Sequence, residues 1–137
     1  MRTQYLDEKG QPFSLRKGKL ISQGSHAAMA FIVGRIREQI EVPGKPQKVS
    51  IKLNGWETAW CGEIFTKVVL QAETEAELRY IVQLCGESGI ENHLITDSGK
   101  TEFGGVPTVT ALGIGPADSD AIDRITGPQG IHPLKLY

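Results

Sequence analysis

The chain has little of what would mark a disulfide-stapled, metal-holding or membrane-spanning protein. Its two cysteines, Cys61 and Cys85, make no disulfide framework. Cys85 falls on the apolar face of a helical pattern and reads as a buried thiol. The histidines, His26, His93 and His132, are scattered, and no Cys/His group has metal-ligand spacing. No metal or other cofactor is expected. No Ser-His-Asp arrangement is evident: Ser22 and Ser25 stand near His26, but the spacing identifies no acidic partner. The longest apolar run, Ala27 to Val33, is far too short to span a bilayer. The opening Met1-Arg2-Thr3-Gln4-Tyr5-Leu6-Asp7-Glu8 has no apolar signal-peptide core. A cytoplasmic protein with no membrane partner is expected. There is no internal repeat, linker or low-complexity tract, and 137 residues suffice for one domain with one core, spanning 1–137.

What is present is charge, unevenly placed. The net charge of −1 argues against a general nucleic-acid binder. Yet residues 1–52 carry a balance of +6 and residues 53–137 a balance of −7. Such a split allows one basic face on a nearly neutral molecule. Folding can equally interleave the halves and erase the effect.

The most informative stretch is Gly18-Lys19-Leu20-Ile21-Ser22-Gln23-Gly24-Ser25-His26-Ala27. Leu20, Gly24, Ala27, Ala28 and Phe31 recur at helical spacing, which predicts a helix from about Gly18 to Gln39. Arg16, Lys17 and Lys19 crowd its first turn, where the helix dipole favours anions. Either the cations point into solvent, or this turn awaits an anionic ligand.

Around that helix the chain reads as alternating elements. Arg2 to Leu6 looks like the end of a short first strand, with Met1 within it. Asp7 to Lys17 is a loop broken by Gly10 and Pro12; its polar part, Asp7 to Arg16, is expected to be mobile and to act as a lid. Val42 to Pro46 ends the helix. Val49 to Trp60 is ambiguous, with a lean to helix around Trp56 and Trp60, which read as core. Lys67 to Ala72 is a buried strand. Thr74 and Glu77 form a capping box that starts a second helix, with Leu78, Ile81, Val82 and Cys85 as its stripe and Gly89 as its stop. Asn92 to Asp97 and Thr108 to Ile114 are strands. Asp118 or Ser119 caps a short last helix, and Leu134 to Tyr137 closes the chain against the sheet. Right-handed crossovers make the first three strands parallel, and the short connection makes the fourth antiparallel to the third. The expected fold is α/β, a mixed four-stranded sheet with helices on both faces. In that topology Lys19, Asp97, Thr101, Thr108 and Thr110 gather at one sheet edge, where open α/β sheets bind ligands.

The same positions carry a family resemblance. Arg2-Thr3, the Gly18 to Ala27 run, Asp97-Ser98-Gly99-Lys100-Thr101, Thr110-Ala111-Leu112-Gly113-Ile114-Gly115-Pro116, Ile122-Asp123-Arg124-Ile125-Thr126-Gly127 and Leu134-Lys135-Leu136 occur in order along almost the whole chain. The chain resembles the archaeal and eukaryotic type of peptidyl-tRNA hydrolase. The resemblance implies cleavage of the ester joining a peptide to the 3′ ribose of tRNA. It places the catalytic and substrate-contacting roles on Lys19, Asp97, Thr101 and Thr110, and matches Gln23 and His26 to the family's helix motif. It also suggests a homodimer. The segment between Thr101 and Gly113 is one residue longer than the family's, so Thr110 rather than Thr108 is chosen by aligning from Gly113.

Ester hydrolysis needs an activated water, a stabilised oxyanion and a proton for the leaving oxygen. Lys19 can offer its charge to the oxyanion or a phosphate. Asp97 can orient the water or accept its proton. Thr101 and Thr110 can place the ester, and Arg16, Lys17, Lys19 and Lys100 can form a basic patch for tRNA. Other readings of these residues stay open. Asp97 before Ser-Gly fits a turn residue. His26 among alanines fits a packed histidine. Two other functions remain: a tRNA-binding module without catalysis, and a hydrolase of another small ester or amide.

Overall fold

The computed structural model describes residues 1–7 and 9–137. The stretch expected to be a loop is a small hairpin, in which β1 (Tyr5–Leu6) and β2 (Pro12–Phe13) pair antiparallel. Asp7 turns the chain by accepting the N–H groups of Lys9 and Gln11 on one carboxylate oxygen, an Asx-type turn. Phe13 and Phe103 stack against the buried Tyr5 ring at 5.7 and 5.3 Å. These ties count against the free lid expected from composition. Glu8, within that stretch, lies outside the described residues.

The long helix α1 spans Lys17–Glu38, and no acidic residue stands in its first turn. Helix α2 (Gly55–Ala59) follows, capped by Asn54, and runs into a π-helical turn at Trp60–Ile64. Trp60 packs edge-on against Phe31 of α1, as expected of a core residue, whereas Trp56 is exposed. Strand β3 (Leu70–Gln71) leads to α3 (Glu75–Glu87), which begins with the Thr74–Glu77 capping box. The hairpin of β4 (Asn92–Asp97) and β5 (Thr108–Ile114) is the main ladder. Helix α4 (Ser119–Thr126) is capped by Asp118, and β6 (Lys135–Leu136) returns to pair antiparallel with β3.

Of the expected fold, an α/β domain with helices on both faces of a β ladder is present; a continuous mixed sheet of three parallel strands and one antiparallel strand is not among the ladders of the described residues. Among the described residues there are three two-stranded antiparallel ladders, β1–β2, β3–β6 and β4–β5, and one parallel bridge, Arg2 to Ala72. The physical reason is reach. Residues 1–4 run extended, with Arg2 N–H on Thr110 O at 2.9 Å and Thr3 N–H on Ala72 O at 2.8 Å. The chain then leaves for the β1–β2 hairpin, so its run beside residues 70–73 stops at Gln4.

Helices α1 and α3 cover opposite faces of the β4–β5 ladder. Val109, Leu112 and Ile114 meet the apolar stripe of α3 (Leu78, Ile81, Leu84, Cys85), with Ile125 of α4 completing the core. Thr110 and Gly113 face α1. A strict two-residue alternation cannot put 110 and 113 on one face. The register slips between Ile95 and Thr96, where Ile95 pairs with Ala111 but Thr96 with Val109. Thr110 is the extra residue of a β-bulge, which re-aims a side chain. Gly113 is needed where it stands, because a Cβ there would run into the Ala27 carbonyl of α1.

Among the described residues, five ion pairs tie the basic first part of the chain to the acidic remainder: Arg2–Glu75, Arg16–Glu102, Lys19–Asp97, Arg35–Glu57 and Arg35–Glu91. The halves are thus interleaved in part, through four of the ten cations of residues 1–52. Glu57 is 0 % exposed and takes both terminal nitrogens of Arg35, at 2.9 and 2.6 Å. One of those nitrogens also reaches Glu91 at 2.6 Å. Glu57 in turn accepts the Asn54 N–H at 2.8 Å, closing the α2 capping box. Arg35 therefore joins α1, α2 and the start of β4.

Candidate active site

The site grows from the carboxyl end of β4. Asp97 is its last residue, and its Oδ1 accepts the N–H of Gly99 at 2.9 Å. Gly99 has φ of +81°, and a Cβ there would collide with the Val106 backbone. The tight turn aims Oδ2 of Asp97 back at α1. There Lys19 Nζ donates to it at 2.5 Å and Gln23 Nε2 at 2.9 Å. Lys19 and Gln23 are one turn apart on one face of α1. Lys19 also donates to Thr101 Oγ1 at 2.9 Å, and Thr110 Oγ1 donates to Gln23 Oε1 at 2.6 Å. A continuous row results: Thr101, Lys19, Asp97, Gln23, Thr110. The Thr110 hydroxyl sets the amide, because its donation to Oε1 leaves Nε2 to face the carboxylate.

The row has a wet end and a dry end. Thr101 is exposed, and the Lys19 and Asp97 side chains keep 14 % and 11 % of their surface. Gln23 and Thr110 are sealed, at 1 % and 0 %. Thr110, expected to hydrogen-bond an ester directly, instead reaches the open end through Gln23 and Asp97. Thr108, the rival position, bonds only its own turn at Val106 O.

Burial pushes the Asp97 carboxyl up, but the Lys19 and Gly99 hydrogen bonds, the Lys19 charge and the Gln23 amide outweigh it. The carboxyl is held below its ordinary value. Asp97 is therefore an ionised acceptor and a poor proton acceptor at neutral pH. Glu57 is likewise held low, by its Arg35 hydrogen bonds against desolvation and by the Asn54 N–H. Groups depressed on folding stabilise fully above their unfolded values, 3.8 for Asp97 and 4.5 for Glu57, and lose that stabilisation as pH falls through the lower folded values. Urea midpoints followed downward from neutral pH should hold flat and then drop below those values. A midpoint that rises on acidification would contradict this.

Arg16, Lys17, His26 and Lys100, the other expected site residues, lie outside the row. Arg16 is engaged by Glu102, whose carboxylate takes its Nε at 2.8 Å and its backbone N–H at 3.2 Å. Lys17 and Lys100 are exposed and, among the described residues, form no ion pair. His26 is exposed on α1, two turns beyond Lys19. The anion predicted for the first turn of α1 is thus supplied in part by the protein, as Asp97 and Glu102. Glu102 escaped the sequence reading. Its one signal was a first turn with three cations and no acid, beside a loop whose only other acid was already assigned.

Fold and side chains together define a small α/β protein with a lysine–carboxylate site at a strand end, backed by a buried amide and hydroxyl. The sequence pattern described as peptidyl-tRNA hydrolase PTH2 matches residues 10–131. The chain belongs to the peptidyl-tRNA hydrolase PTH2 family. It is similar to a peptidyl-tRNA hydrolase of Thermococcus sibiricus, 36% identical over 115 residues, covering 82% of this chain and 83% of the relative. A peptidyl-tRNA hydrolase of Methanothermobacter thermautotrophicus is 34% identical over 111 residues, covering 81% and 83%. The mitochondrial peptidyl-tRNA hydrolase 2 of Homo sapiens is 36% identical over 121 residues, 88% of this chain and 56% of its own length.

Proposed function

We propose that this protein hydrolyses the ester bond of peptidyl-tRNA, releasing peptide and tRNA, with the Lys19–Asp97 pair at the reacting end. Family membership supports the reaction, and the observation that carries the site is the unbroken row from Thr101 to Thr110. Lys19 presents its charge to the developing oxyanion or to the terminal phosphate. Asp97, ionised, accepts a hydrogen bond from the attacking water and orients it. Thr101 places the ester from the open side. Gln23 and Thr110 are positioning residues that hold Asp97 from behind. The same reading takes residues 1–4, bonded to Ala72 on one side and Thr110 on the other, as the strand joining the ladders into one mixed layer. It places the protein in the cytoplasm, with translation. Incubation of purified protein with excess peptidyl-tRNA should give many turnovers per molecule; tRNA binding without turnover would favour the binding module.

Substrate affinity should depend on salt, but modestly. With Arg16 and Lys19 engaged, Lys17, next to Arg16 in the chain, and Lys100, next to Thr101, have no ion pair among the described residues. Two phosphate contacts give a slope of about −2 in log K against log salt. Lys17→Glu should weaken binding and flatten the slope by about one, at unchanged melting temperature. An affinity indifferent to salt would remove the patch from the account.

A further inference from the structure

The turn that carries Thr101 crosses to α1 twice. Thr101 Oγ1 meets Lys19 Nζ at 2.9 Å. The next residue, Glu102, meets Arg16 through both carboxylate oxygens, one on the backbone N–H at 3.2 Å and one on Nε at 2.8 Å. Arg16 is the N-cap of α1 and has no side-chain cap of its own, so Glu102 serves that end of the helix from 86 residues away. The Glu102 side chain keeps 12 % of its surface, whereas Arg16 lies open above it. Thr101 and Glu102 are neighbours, and Arg16 and Lys19 are one turn apart, so fixing one crossing fixes the other. The Phe103 ring, next in sequence, packs on Tyr5 and Phe13 and stops the turn from swinging the other way.

We infer that Glu102 is a positioning residue. Its grip on the Arg16 backbone holds Thr101 against Lys19, and its grip on the Arg16 side chain withholds that cation from substrate phosphate. The inference rests on the function proposed above. Its two halves separate in two variants. Gln at 102 can still take the backbone N–H on Oε1, but its NH₂ faces Arg16 Nε donor to donor, so the guanidinium is released. Ala makes neither contact.

The test is steady-state hydrolysis of peptidyl-tRNA by the full chain, at several salt concentrations, with melting temperatures alongside. Glu102→Ala should lower kcat about 10-fold, as expected for a misplaced reacting group. Glu102→Gln should recover most of that rate, with a lower KM and a salt slope steeper by about one, since Arg16 is now free for phosphate. In a Thr101→Val background, Glu102→Ala should cost no further rate. A merely structural pair would move melting temperature in both variants and leave kcat and salt slope at wild-type values. Wild-type kcat in Glu102→Ala, or equal losses in both variants, overturns the inference. Lack of turnover in the wild-type protein would instead sink the function on which it rests.

Discussion

Lys19→Ala and Asp97→Asn should each lower kcat for peptidyl-tRNA by about 100-fold or more, the scale of losing a charged group preorganised for the transition state, while the protein stays folded. Their fold tolerance follows from the contacts. Without Lys19, the Asp97 carboxylate still holds the Gly99 N–H and the Gln23 amide, so it is not left bare. Losing one hydrogen bond of this kind costs about 1–2 kcal/mol. Removal of Lys19 also takes one cation from a first turn that lacks acids, where cations are unfavourable. Asn at 97 keeps the shape but abolishes the charge that orients both Lys19 and Gln23. Because the two groups act as one pair, the double variant should be little slower than either single one. Parallel losses of activity and melting temperature would mark the pair as structural.

Arg35→Met has the largest expected effect on stability, about 3 kcal/mol or more. It strands Glu57, which is 0 % exposed, as an uncompensated buried carboxylate. The melting temperature should fall by about 10 °C. Adding Glu57→Gln should return part of the loss, because a neutral amide needs no counter-charge and can still take the Asn54 N–H of the capping box. The cluster lies at the start of β4, and the site at its other end. Molecules of Arg35→Met that remain folded should therefore hydrolyse substrate at the normal rate. A melting temperature unchanged in Arg35→Met would contradict the reading of this cluster as the clasp between α1, α2 and β4.

The sequence disclosed what has a local signature. The bounds of β4 and β5 match the expected strands, since segments carrying runs of β-branched residues, Ile95-Thr96 and Thr108-Val109-Thr110, are followed by Ser-Gly and Gly-Pro turns. The Thr74–Glu77 capping box formed as read. Lys19, Asp97, Thr101 and Thr110, expected at one sheet edge, do come together; Thr108, expected with them, bonds its own turn, and Gln23, matched only through the family's helix motif, joins the row. What stayed hidden is what depends on partners far along the chain. The β1–β2 hairpin uses strands of two residues, too short to show a period, and Gly10 and Pro12 read only as breakers. The bulge that turns Thr110 toward Gln23 is a mismatch between two strands, which neither strand shows alone. Arg35 and Glu57 lie 22 residues apart, and Arg16 and Glu102 lie 86 apart. Charge asymmetry between the halves announced that such pairs were available, not which would form. The same pairs engage four of the ten cations of residues 1–52, Arg2, Arg16, Lys19 and Arg35, and near the proposed site leave Lys17 and Lys100 without an ion pair among the described residues.

The most direct measurement is hydrolysis of peptidyl-tRNA in ¹⁸O-labelled water by the wild-type chain and by Lys19→Ala, with both products weighed. The account predicts many turnovers by the wild-type protein, one labelled oxygen in the peptide carboxylate, unlabelled tRNA, and near-complete loss of release in Lys19→Ala. Release at the wild-type rate from Lys19→Ala, or bound tRNA with no release from the wild-type protein, would contradict it.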